Sequence, residues 1–166
     1  MVVMCHACSY SFRESPNGQS TKGDKDMAET SATLTVWAPR VRSILRIMTG
    51  LLLLEHGTQK YFNFPPTDMF AGGLDTLMHV AGGIELIGGV LIIIGLLTRP
   101  AAFICSGFAA AAYFMGHAPN GFFPANNYGD AAILFCFVFL YFVFAGAGPW
   151  SIDALIARRR VVTRVV

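Results

Sequence analysis

The chain has 166 residues, of which 54% are hydrophobic and 13% charged, with a formal net charge of +2. Soluble domains carry ~25% charged residues, so this composition excludes an ordinary water-soluble globule and indicates an integral membrane protein. The small net charge excludes nucleic acid as the expected partner. Four cysteines in a chain of this length are too few for a disulfide-stapled secreted scaffold.

Residues 1–35 are polar and lack apolar periodicity, which reads as a disordered tail. No apolar run follows a basic start, so the tail does not read as a secretory signal. Met27 opens a segment that would serve as an N-terminus by itself, and residues 1–26 are expected to stem from an upstream start assignment. Cys5 and Cys8 have redox or metal-ligand spacing but no second ligand pair in sequence. Residues 36–157 form the expected membrane domain, and residues 158–166 a basic tail.

Within the domain, four apolar stretches read as spans, at about 44–62, 75–97, 101–117 and 130–148. The second is the most telling. From Leu77 to Leu97 it is apolar or glycine except for His79 and Glu85, and it is long enough to cross a core of ~30 Å at ~1.5 Å per residue. Pro65, Pro66, Gly72 and Gly73 break the chain between the first two spans, and Thr98-Arg99-Pro100 makes a tight turn after the second. The expected fold is an all-α, integral membrane four-helix transmembrane bundle. Arg40, Arg42, Arg46, Arg99, Arg158, Arg159, Arg160 and Arg164 fall on one side of it and Lys60 toward the other, which places both termini in the cytoplasm of a multi-pass inner-membrane protein.

The same alternation of direction assigns depth. Glu55, His56, Lys60, His79, Glu85, His117, Asn127 and Asp130 all fall within or beside the outer half, whereas the inner half is apolar. Glu85 is the deepest, and a carboxylate there costs ~2.5–3.5 kcal/mol on insertion scales. Gly82, Gly88 and Gly89 surround it and give a neighbouring helix room to supply a donor. Glu85 and Glu55 are the candidates for proton handling. His56, Lys60, His79, His117, Asn127 and Asp130 are the candidates for ligand binding. Each has a plainer reading as well: a hydrogen bond that pins helices, a lysine that snorkels to the surface, or a helix-terminal charge. The aromatic loops are either an interfacial belt or the wall of a flat ligand site.

No metal motif, nucleotide loop, nucleophile elbow or haem attachment site is present in the sequence. Cys105 and Cys136 are expected at different depths, ~10 Å or more apart along the membrane normal, too far to bridge.

The runs LRIMTGLLLLEHGTQKYF, GGIELIGGVLIIIGLLTRPAA, YFMGHAPNGFFPANNYGDAAILFCFVFLY and GPWSIDAL resemble the DoxX family of small four-span membrane proteins. The specific elements are His56-Gly57 with Lys60, Glu85 with Gly88-Gly89, and the TRPAA turn. Asp130 stands where many relatives carry Glu. The resemblance implies a subunit or accessory of a membrane oxidoreductase, quinone- or thiol-linked, with a redox partner protein, membrane lipid and a small molecule as its contacts. No cofactor motif belongs to the chain itself, and the expected ligand of the outer-half site is a quinone-like or small acidic molecule. Two alternatives stand beside this: a small-solute carrier or permease, and a non-catalytic scaffold for a soluble redox enzyme.

Overall fold

The computed structural model describes residues 22–70 and 72–165, and among these all regular structure is helical. The helices are α1 (Lys22–Phe62), α2 (Thr76–Ile94), α3 (Thr98–Ala112), α4 (Pro124–Asn127), α5 (Asp130–Ala145) and α6 (Ile152–Val165). The chain divides into two compact units after Val36.

In the first unit, residues 22–36 form exposed helix. The Thr30, Thr33 and Thr35 hydroxyls bond the carbonyls of Asp26, Glu29 and Ser31, four residues back. The expected unstructured tail is thus helical from residue 22. These hydroxyls satisfy themselves within the helix instead of competing with it. Cys5 and Cys8 lie outside the described residues.

In the second unit, α1 from Trp37, α2, α3 and α5 run alternately antiparallel. Arg46 of α1 meets Ile93 near the end of α2, while Lys60, further along α1, meets Glu85 earlier in α2. Arg99 and Ser106 of α3 meet Val143 and Cys136 of α5 in the same reversed order. Two helices, Thr76–Ile94 and the extended Thr98–Asn120, are long and apolar enough to cross a membrane, and Asp130–Ala145 is apolar but shorter. The buried core comprises Leu53, Ile92, Ala101, Ala102, Cys105, Phe139 and Phe142.

Glycines set the closeness of α1 and α2. A Cβ at Gly89 would sit 2.9 Å from the Leu54 Cα, and one at Gly57 would sit 2.8 Å from the Leu86 nitrogen. Each helix thus offers a glycine to the backbone of the other, the small-residue contact that drives association in lipid.

The ends of the helices differ from the expected spans for local reasons. Helix α2 stops at Ile94 because Gly95 takes φ 68° and its N–H returns to the Leu91 and Ile92 carbonyls. Asp75 caps its start by accepting from the Met78 N–H at 2.7 Å. Helix α3 loosens after Ala112 into a π turn, Tyr113–His117. The basic stretch Arg158–Arg160 continues α6 as helix.

A buried polar clamp closes the end where α2 turns into α3. Arg46 is fully buried. Its guanidinium donates to the Ile92 carbonyl, to those of Ile93 and Trp150 at 2.5 Å each, and to that of Ala147 at 2.8 Å. Arg42 donates to the Ala145 carbonyl at 2.7 Å and Arg99 to that of Val143 at 2.9 Å. These arginines supply donors to carbonyls that helix ends leave without partners, and they place positive charge at the negative ends of α2 and α5. Asp153 does the converse, accepting from the Leu97 and Thr98 N–H groups at 2.9 Å each at the positive start of α3.

Candidate functional site

The ion pair between Lys60 and Glu85 is the chemical centre of the bundle. The Lys60 Nζ lies 2.8 Å from Oε1 and 2.7 Å from Oε2 of Glu85. Their side chains are 9% and 6% exposed. Glu85 points toward α1 because Gly82 and Gly89, three before it and four after, give that face of α2 no side chains. A Cβ at Gly82 would touch the Tyr61 ring and the Lys60 stem at 2.8 and 3.3 Å. Phe70, from the loop between α1 and α2, lays its ring 5.5 Å from the Lys60 Nζ, a cation–π roof over the pair. Tyr61 donates to the His79 carbonyl at 2.6 Å, and the two rings lie 5.8 Å apart.

Of the residues singled out in sequence, the structure joins Lys60 and Glu85 directly and sets His79 beside them through Tyr61. His56 contributes its carbonyl, 3.5 Å from the Lys60 Nζ, while its ring bonds the Leu52 carbonyl through Nδ1 at 2.8 Å and meets Phe135 edge-on. Glu55 is exposed and stands outside the ion pair. His117 and Asn127 form a separate loop cluster. The His117 Nδ1 bonds the Asn127 carbonyl at 3.0 Å, and Asn127 itself bonds the Gly121 carbonyl and the Gly129 N–H. With the Tyr113 hydroxyl on the Phe122 carbonyl, these bonds fasten the 118–129 loop to the π turn. Asp130 is exposed in the first turn of α5, where a carboxylate favours the helix dipole. The single polar layer expected from depth is therefore two groups, the ion pair and the loop cluster.

A groove of about 290 Å³ runs between α2 and α3, lined by Val80, Ile84, Ile87, Leu91, Ile104 and Cys105 among others. Every lining residue is apolar, so this groove is not the polar pocket expected from the sequence. Among the described residues, no three His, Cys, Asp or Glu side chains gather in a way that could hold a metal ion. Cys105 and Cys136 are both free. The expected depth difference is not what keeps them apart, because Ser106 bonds the Cys136 carbonyl at 2.8 Å. The two cysteines stand at neighbouring levels, and Cys105 turns instead toward Gly88 on α2.

Sequence reasoning missed three contributors. Arg46 was read as topology, though a lone arginine inside an otherwise apolar run signals a buried partner set. Asp153 and Phe70 are the other two. Nothing local in the sequence marks either.

Closely packed apolar helices around the enclosed Lys60–Glu85 pair are consistent with a helical membrane protein. The DoxX family profile matches residues 41–118. An uncharacterized protein of Haemophilus influenzae is 42% identical over 125 residues, covering 72% of this chain and 93% of that one. A second uncharacterized protein of the same organism is 32% identical over 97 residues, 58% of this chain and 60% of its own. The Bacillus subtilis protein named "Putative oxidoreductase CatD" is 44% identical over 59 residues, 34% of this chain and 44% of that protein. The chain belongs to the DoxX family. No solved structure matches it.

Proposed function

We propose that the chain is a membrane subunit or accessory of an oxidoreductase system, with the Lys60–Glu85 pair as the site at which it meets a quinone. In this reading α1, α2, α3 and α5 all cross the inner membrane, both termini are cytoplasmic, and the arginine-rich clamp faces the cytoplasm. The carrying observation is the enclosed pair itself, a charged lysine and carboxylate retained inside an apolar bundle where ionisable groups default to function. The partial likeness to a relative named as an oxidoreductase agrees with it. The residues suit a quinone: the Lys60 ammonium can donate to a ring oxygen, Glu85 can take or give a proton, and Phe70 offers a ring face. A bound quinone would supply the electron-accepting chemistry, and the chain would orient it and hold the proton at the Glu85 carboxyl.

Two measurements test this. Purification of the intact protein in mild detergent is expected to bring down a flavin-, haem- or thiol-dependent enzyme, and decylubiquinone is expected to bind wild type and to lose at least tenfold in affinity with Glu85→Gln. Absence of any redox partner together with unchanged quinone binding overturns the proposal; solute uptake by proteoliposomes holding the chain alone replaces it with a carrier.

A further inference from the structure

We infer that α1 is the interface of a parallel homodimer, in which Glu55 of each copy is hydrogen-bonded to His56 of the other. The inference rests on the reading that α1 crosses the bilayer.

The motivating feature is a carboxylate on the wrong side. Glu55 is exposed, nine residues after Arg46 and seven before Phe62, so ~13 and ~10 Å from those levels at ~1.5 Å per residue. That is mid-membrane. Intramembrane carboxylates almost always face a bundle interior or a water-filled cavity, because hydrocarbon penalises them heavily. Among the described residues nothing covers Glu55, which calls for a neighbour.

The rest of that face identifies the neighbour. Val41, Leu45, Met48, Leu52, Glu55, Gln59 and Phe62 follow one another at alternating spacings of four and three, the a/d seam of a left-handed coiled coil. All but Gln59 are exposed; Met48 is 51% and Leu52 48% exposed. In this register Glu55 is a d position and His56 the following e position. Two copies in one membrane share their orientation, so a two-fold axis along the membrane normal sets their α1 helices parallel with equal levels facing. In such a pair a d side chain packs beside the e residue of the other helix.

The chemistry is self-complementary. The His56 Nδ1 faces the Leu52 carbonyl at 2.8 Å. A carbonyl only accepts, so Nδ1 carries the hydrogen and Nε2 of the neutral ring is left as an acceptor. His56 is exposed, so Nε2 can look outward. The Glu55 carboxyl of the second copy is the partner it lacks, and one proton shared between Nε2 and the carboxyl satisfies both groups whichever of them holds it. The two-fold axis makes the bond twice. A single polar step within an apolar seam is also the device that fixes register in helix pairs.

The test is cross-linking in membranes with Cys5 and Cys8 replaced by Ser and Cys105 and Cys136 by Ala. Met48→Cys in this background is expected to form disulfide-linked dimers under mild oxidation, whereas Ile87→Cys on the exposed face of α2 is not. In liposomes of increasing lipid-to-protein ratio, wild type and Glu55→Gln, whose amide N–H still donates to Nε2, are expected to stay dimeric by single-molecule photobleaching. Glu55→Ala is expected to dissociate at tenfold or more lower dilution. Monomeric wild type, equal cross-linking at Ile87→Cys, or a Met48→Cys cross-link to a different protein overturns the inference. Labelling of Met48→Cys by a membrane-impermeant maleimide shows instead that α1 does not cross the bilayer, which defeats the underlying reading as well.

Discussion

Replacing Lys60 with methionine removes one partner of an enclosed pair and leaves the other. Both oxygens of Glu85 lose their bond to the ammonium, and with the two side chains only 9% and 6% exposed, water replaces little of what is lost. Removing one member of such a pair costs ~3–5 kcal/mol, most of it the uncompensated group left behind. Glu85→Gln is milder, ~1.5–3 kcal/mol, because the amide oxygen still accepts from Lys60 while the charge assistance is gone. The double variant Lys60→Met with Glu85→Leu removes both charges and fills the space with apolar atoms, a change that is often neutral or stabilising by ~1–4 kcal/mol. The cycle of Lys60→Met, Glu85→Leu and the double variant should therefore be strongly non-additive, with the double variant more stable than either single. Unfolding in mixed micelles of rising dodecyl sulfate fraction, followed by far-ultraviolet circular dichroism, measures each corner. A Lys60→Met loss under about 1 kcal/mol, or additive singles, would refute the view that the two groups depend on one another.

Three further outcomes follow from the fold. Arg46→Met should cost at least ~3 kcal/mol in the same titration, since four carbonyls lose a charged donor at a fully buried position and each such bond contributes ~1.5–3 kcal/mol; a loss below 1 kcal/mol would mean the clamp is replaceable. Asp153→Ala should cost ~0.5–2 kcal/mol, the range for losing a helix cap, and should speed amide exchange at Leu97 and Thr98 while leaving α5 unchanged. Gly89→Val should force α1 from α2, because even a Cβ would lie 2.9 Å from the Leu54 backbone, with a loss of ~1–3 kcal/mol or failure to assemble.

The helical class and the pairing of Glu85 with α1 were legible because each has a local signature. Long apolar runs declare helices in a membrane, and a carboxylate flanked by glycines declares a close neighbour. Lys60 falls in the same outer layer as Glu85 because the alternation of span direction brings the two to one level. The grouping of the other residues was not legible. Depth alone put His117 and Asn127 in the same layer as Glu85, but depth says nothing about azimuth, and the loop 118–129 consumes both in bonds to its own backbone. Depth likewise does not tell that Glu55, five residues before Lys60, stands on an exposed face with His56 beside it. The clamp was invisible because its acceptors are backbone carbonyls, which no residue type announces. Positive charge counted for orientation turned out, for Arg42, Arg46 and Arg99, to be bonded structure as well.

The reach of Arg46 along the chain has a consequence for synthesis. Its bonds to Ala147 and Trp150 join residues 101 and 104 positions apart. Those carbonyls are made only after α5, so while α1, α2 and α3 are emerging the guanidinium has at most the Ile92 and Ile93 carbonyls to hold. The bundle is consequently left unlocked until the segment after α5 arrives. Chains halted before Trp150 should be cleared by membrane proteases at rates that chains extending past it escape, because the bolt for the first helix is supplied by a turn translated 104 positions later.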